Sequence, residues 1–176
     1  MSLPLRITIW VLCILALVYF LWFLYGLVSI RGFAERMKRK LKASAILFAS
    51  KRDLLLSLLA LCKKSGIDLP ENENEKATKA RWTKFEIRKA EDVELISKEL
   101  SDFEKQLMRS ASSKEAVYNS PEFTALKEPL DDVNANYRRL VATYDSDLVG
   151  YDYWRKSPLF RVLFFLLGFR KKKRLV

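Results

Sequence analysis

Side-chain chemistry near neutral pH most often starts with histidine, and this sequence of 176 residues contains none. That removes the commonest general base and the commonest metal ligand together. Cys13 sits inside an apolar run and Cys62 on an expected helix, with 48 residues between them, so a disulfide between them is geometrically implausible. Adjacent carboxylates such as Asp131 and Asp132 fall at surface-like helix positions, where solvation is the default explanation. No Gly-rich phosphate loop, CxxC pair, serine nucleophile elbow or metal-spaced cluster is present. The sequence therefore predicts no catalytic residues, no metal and no cofactor, and the protein is expected not to be an enzyme.

The chemistry that remains is cationic and comes in two groups. Arg31, Arg36, Lys38, Arg39, Lys40 and Lys42 follow an apolar run near the N-terminus, and Arg170, Lys171, Lys172, Lys173 and Arg174 lie near the C-terminus. Lys and Arg close to a membrane surface are attracted to anionic headgroups by roughly 1 kcal/mol each, so these eleven are the expected membrane-surface contacts. The formal charge of +11 is divided unevenly: residues 31 to 42 carry +5, residues 43 to 152 carry −3, and residues 153 to 176 carry +8. An acidic middle between basic ends is unlike a basic-faced nucleic-acid domain, and nucleic acid is not the expected partner.

These groups need elements to hold them at a membrane. Ile7 to Ile30 is a run of 24 residues without a charge, which at about 1.5 Å per residue crosses a hydrocarbon layer of about 30 Å. Arg6 and Arg31 bracket it, and Trp10, Trp22 and Tyr25 lie near its ends as interfacial anchors. The run is too long for the apolar region of a cleaved leader and no small-x-small site follows it. Residues 1–30 thus read as an uncleaved anchor, and the excess of Lys and Arg after it predicts an outside N-terminus and a cytoplasmic domain.

Beyond the anchor, Leu41, Ala45, Phe48, Leu55, Leu59 and Cys62 keep a helical spacing, predicting one continuous helix from about Leu5 to Ser65. Arg52 fills the vacant seam position, either as an exposed head over a packed stem or as a buried partner for a carboxylate of a neighbouring helix. Gly66 suits a helix C-terminus, and Pro70 within IDLPENENE cannot continue a helix. A second helix is expected from about Asn74 to Ala111 on Trp82, Phe85, Val93, Ile96, Leu100, Phe103 and Leu107. Ser120-Pro121-Glu122 reads as the opening of a third, kinked at Pro129. That helix carries Leu130, Val133, Tyr137, Val141, Tyr144, Leu148 and Tyr151 in a row. The tyrosines read as interhelix packing with hydroxyls at the edge, ahead of a binding strip. Ser157-Pro158 repeats the opening signal for a short amphipathic tail helix.

The fold class is therefore all-α: an N-terminal transmembrane helix continuous with an antiparallel bundle of three long helices plus the short fourth. The bundle occupies residues 31–152 and an apolar, basic tail residues 153–176. Leu159 to Phe169 holds nine large apolar residues in eleven, too few to span. Either it lies in the membrane interface ahead of its basic stop, or Leu159, Phe160, Leu163, Phe164 and Leu167 fold back onto the bundle.

Two patches resemble the LemA family of membrane-anchored bacterial proteins. One is the stretch from Ala43 to Lys64, where a basic run, an Asp-Leu pair and an apolar helix follow the anchor. The other is Tyr137-RRLVATYDSDL, with its Tyr-x3-Val-x2-Tyr spacing, leading to Phe164-FLLGF. Where that family often has Pro-Asn after the Asp-Leu-aliphatic run, this chain has Leu56-Ser57. The resemblance implies a long-helix bundle on one anchor, no known catalytic residues, and a role in envelope upkeep or beside membrane proteases. The expected function is a membrane-anchored scaffold or adaptor with a protein partner of unknown identity; the alternative is membrane remodelling through self-association and the tail.

Overall fold

In the computed structural model, residues 3–67, 87, 89–158 and 160–175 are described. All their regular structure is helical, in five helices: α1 Leu3–Lys64, α2 Ala90–Ser112, α3 Glu115–Tyr118, α4 Pro121–Lys156 and α5 Arg161–Leu166. The class is all-α, and no strand occurs among the described residues.

α1 is unbroken, as its helix formers and the lack of any Pro beyond its first turn dictate. Its end is set locally. Gly66 takes a positive φ of 64°, which costs glycine no Cβ clash. Its N–H bonds the carbonyl of Lys63 and the Ile67 N–H bonds that of Cys62, both at 3.0 Å; this double closure is the Schellman ending, with Cys62 and Ile67 buried beside it. The Lys114 ammonium adds hydrogen bonds to the carbonyls of Ser65 and Gly66, 2.9 and 2.7 Å, where the helix dipole is negative.

The expected second helix is shorter at its start. Ile87 and Lys89 are not helical, and α2 begins at Ala90, where the Lys89 N–H is taken by the Asp92 carboxylate at 2.9 Å. The expected residues Trp82 and Phe85, and Pro70, lie outside the described residues. Val93, Leu100, Phe103 and Leu107 form the buried stripe of α2 as their spacing requires. α4 starts where expected: Ser120 Oγ accepts the N–H of Phe123 at 3.1 Å, with Pro121 in the first turn. Pro129 lies inside the continuous helix, and the carbonyl that it leaves without a ladder donor belongs to Ala125, an exposed residue.

The chain forms two compact units. The first comprises Met1–Met37 and Ser146–Lys172, the second Lys38–Asp145 and Lys173–Val176. In the first, α1 and α4 are antiparallel and approach through glycine: a Cβ on Gly26 would lie 2.8 Å from the Trp154 ring, and one on Gly150 would run into the Phe33 ring. In the second, α1 and α4 are again antiparallel, with Phe48 tilted on Tyr137 at 5.2 Å, and α2 completes the packing.

The tail departs from expectation in two ways. Ser157-Pro158 forms a turn, with the Phe160 N–H bonded to the Ser157 carbonyl at 3.1 Å, so the helix starts three residues later. Nor is α5 amphipathic: Phe164 is buried on one side, and Val162, Phe165 and Leu166 are exposed on the other. Of the five residues expected to fold back, Phe160 and Phe164 do so within the first unit and Leu163 and Leu167 remain exposed; Leu159 is outside the described residues.

Candidate membrane-facing surface

In the first unit, every described side chain of α1 from Ile7 to Tyr25 is exposed except Phe23, which is half-buried. α1 is long and apolar enough to cross a membrane, and its most apolar stretch is not buried by the protein. Burial begins at Gly26 and Ile30, where α4 arrives.

An aromatic cluster marks that transition. Phe160 meets Tyr19, Trp22 and Phe23 at centroid distances of 5.1, 5.0 and 5.3 Å. Phe164 stacks on Phe23 at 5.7 Å, and Trp154 meets Tyr25 edge-on at 5.7 Å. Such offset and edge contacts suit the ring quadrupole and add to simple area burial. Sequence reasoning noticed Trp22 and Tyr25 only as interface anchors. The matching signal was present in Trp154, Phe160 and Phe164, but the pairing is tertiary and no local spacing encodes it.

α5 ends as α1 does. Gly168 has φ 84°, its N–H bonds the Phe165 carbonyl, and the Phe169 N–H bonds the Phe164 carbonyl at 2.9 Å. Phe164 and Phe169 then touch across the motif at 5.8 Å. The Leu-Gly-Phe sequence thus turns the chain back toward α4, where the Tyr151 hydroxyl donates to the Arg170 carbonyl at 2.8 Å.

The eleven expected surface cations divide between the units. In the first, Arg31, Arg170, Lys171 and Lys172 are exposed. Arg36 bonds the Asp147 carboxylate at 3.0 Å and stacks over Phe33 at 4.5 Å. One stretch of α4, Asp147 to Tyr151, therefore meets both Arg36 and the basic tail. In the second unit, Lys38, Arg39, Lys42 and Arg174 are exposed. Lys40 bonds the Thr143 carbonyl at 2.6 Å, Lys173 pairs with Glu91 at 3.2 Å, and the Tyr144 hydroxyl donates to the Lys173 carbonyl at 3.2 Å. Thr143 and Tyr144 thus adjoin one cation from each basic group. Tyr144 and Tyr151 are buried, and their hydroxyls donate to the backbone of the chain's own tail. Burial pushes the Tyr144 hydroxyl above its ordinary pKa, with Asp145 and Glu91 adding to the shift.

A polar cluster in the second unit was missed by sequence reasoning. Lys51, only 7% exposed, pairs with Glu104 at 2.6 Å and donates to Asn134 Oδ1 at 2.8 Å; Asn134 Nδ2 donates back to Glu104 at 2.8 Å. It closes one wall of an open groove of ≈ 590 Å³ that also includes Arg109, Tyr137 and Arg138. A buried cation meeting a carboxylate of a neighbouring helix is thus found at Lys51; Arg52, next to it, pairs with Asp53 of its own helix at 2.6 Å.

No protein-family model, curated protein or solved structure matches the chain.

Proposed function

We propose that this is a single-pass membrane protein, with its N-terminus outside and its bundle in the cytoplasm, acting as a non-enzymatic scaffold or adaptor at the membrane surface. The observation that carries the proposal is the bare apolar stretch Ile7 to Tyr25, in the same helix whose later turns are packed against α4. Leaving so much apolar surface in water is unfavourable by about 25 cal/mol per Å², and a bilayer removes that cost. The basic residues that follow support the orientation, because Lys and Arg are enriched in short cytoplasmic flanks. The same residues support contact with anionic headgroups.

The LemA-like order of anchor, Asp-Leu helix, tyrosine-spaced helix and Leu-Gly-Phe ending supports a role in envelope maintenance. In this reading a protein partner meets the acidic middle of the bundle. A second reading, self-assembly or membrane remodelling through the tail, is favoured by the exposed apolar side of α5. Crosslinking in native membranes, followed by purification of the intact chain and of one truncated before Pro158, separates the two. A specific protein recovered with the intact chain supports the adaptor; recovery of only further copies and lipid overturns it in favour of self-assembly.

A further inference from the structure

α5 is apolar on all sides after Arg161, and a helix of that kind requires cover all round. The first unit covers one side, where Phe164 is buried against Phe23 and Phe160. Opposite them, Val162 and Phe165 are 70% exposed and Leu166 is 74% exposed. We infer that the bilayer covers this second side: α5 lies in the interfacial layer of the membrane against the last turns of the span, so that the chain enters its membrane twice. The inference rests on the reading of α1 as a span.

The occupant is lipid for three reasons. α5 lies beside the bare stretch of α1, since Phe160 just ahead of it packs on Tyr19, Trp22 and Phe23 and its own Phe164 stacks on Phe23. The side chains around the junction, Tyr19, Trp22, Tyr25, Tyr153 and Trp154, each combine an apolar body with a polar tip, the chemistry that favours the membrane–water boundary. Basic residues also frame the helix, Arg161 before its apolar turn and Arg170 to Lys172 after it, as in segments that lie on anionic membranes. Depth agrees as well. At about 1.5 Å per residue, the part of α1 before Gly26 covers about 30 Å. The inner boundary of the membrane then falls near Tyr25, not Ile30. The helix from Gly26 onward, packed against Trp154 and Gly150, lies outside the hydrocarbon.

The test is fluorescence quenching on the full chain, reconstituted in vesicles of phosphatidylcholine and phosphatidylglycerol with brominated acyl chains. With Cys13→Ser as background, Cys62 is buried and its thiol pKa is raised by burial, so it resists labelling. Single cysteines replace Leu15 in the span, Phe165 or Val162 on α5, and exposed Ile46 in the second unit, each carrying an environment-sensitive dye. The expected result is several-fold quenching by brominated lipid at Leu15, Phe165 and Val162, with aqueous iodide quenching only Ile46. If Leu15 is quenched by lipid while Phe165 and Val162 are quenched by iodide, or are shielded from both, the α5 inference is overturned and the anchor stands. If Leu15 itself escapes lipid quenching, the spanning reading fails, and this inference with it.

Discussion

The polar groups packed inside the second unit bear the largest single-residue consequences. Lys51, Glu104 and Asn134 satisfy one another along the groove wall, with the Lys51 side chain nearly buried, so removing one strands the others. Lys51→Met is expected to destabilise by about 3 kcal/mol, and Lys51→Met with Glu104→Leu to recover most of it, because breaking a buried pair costs more than replacing it whole. Thermal melts in detergent check this. Tyr144→Phe, which removes the hydroxyl from the Lys173 carbonyl, is expected to cost about 1 kcal/mol. Tyr137 adds a pH dependence: burial raises its pKa above the ordinary 10.0, with Ser97 partly offsetting. A group whose folded pKa is raised contributes stability fully below its unfolded pKa and loses it as pH rises through the folded value. Stability should therefore fall above about pH 10, and Tyr137→Phe should flatten that fall relative to wild type; an unchanged slope refutes it. Lys51 escaped sequence reading for a physical reason. One seam row of α1 is Ile30, Met37, Ser44, Lys51 and Leu58, spaced by seven, and two of its buried members are polar. An apolar pattern therefore registers the companion row of Phe48, Leu55 and Cys62 and slips by one residue on the other, onto Arg52.

At the scale of elements, the features written in a few adjacent residues were legible and those made by distant ones were not. Gly66 ended α1, and Ser120-Pro121 opened α4, because caps satisfy backbone groups within one turn. The same signal at Ser157-Pro158 misled, since burial of Phe160 among α1 aromatics makes that segment a turn first. The paired glycine contacts of α1 and α4 were also silent in sequence, although they set how closely the helices approach in the first unit. Gly150→Ala pushes a methyl into Phe33 and is expected to cost about 1–3 kcal/mol by overpacking. That outweighs the roughly 1 kcal/mol helix-propensity gain of alanine over glycine. Adding Phe33→Leu should return part of the loss; two melting shifts that simply add would show that the two residues are not coupled. Gly168→Ala, forced into a positive φ, should loosen the turn after α5 by about 1 kcal/mol. Faster proteolysis after Arg170 would register it.

For the molecule as a whole, composition and charge zoning carried the reading further than any motif. The all-α class and the candidate span followed from helix formers and one uncharged run, both properties summed over many residues. The tail was only half legible, because its nine large apolar residues state that cover is needed without stating from where. The structure supplies protein on one side and leaves the other bare. The two basic groups each adjoin α4, yet most of their side chains remain exposed and able to meet phosphate headgroups. Electrostatic attachment alone would yield to salt, whereas a spanning helix would not. The most direct measurement is therefore flotation of the full chain with vesicles in 1 M salt at pH 11 (roughly a 3 Å screening length), beside a chain carrying Leu15→Arg and Val18→Arg. An embedded α1 requires that the wild type float undiminished and the doubly charged chain be released. Release of the wild type would contradict the anchor and reduce the basic residues to a reversible surface contact.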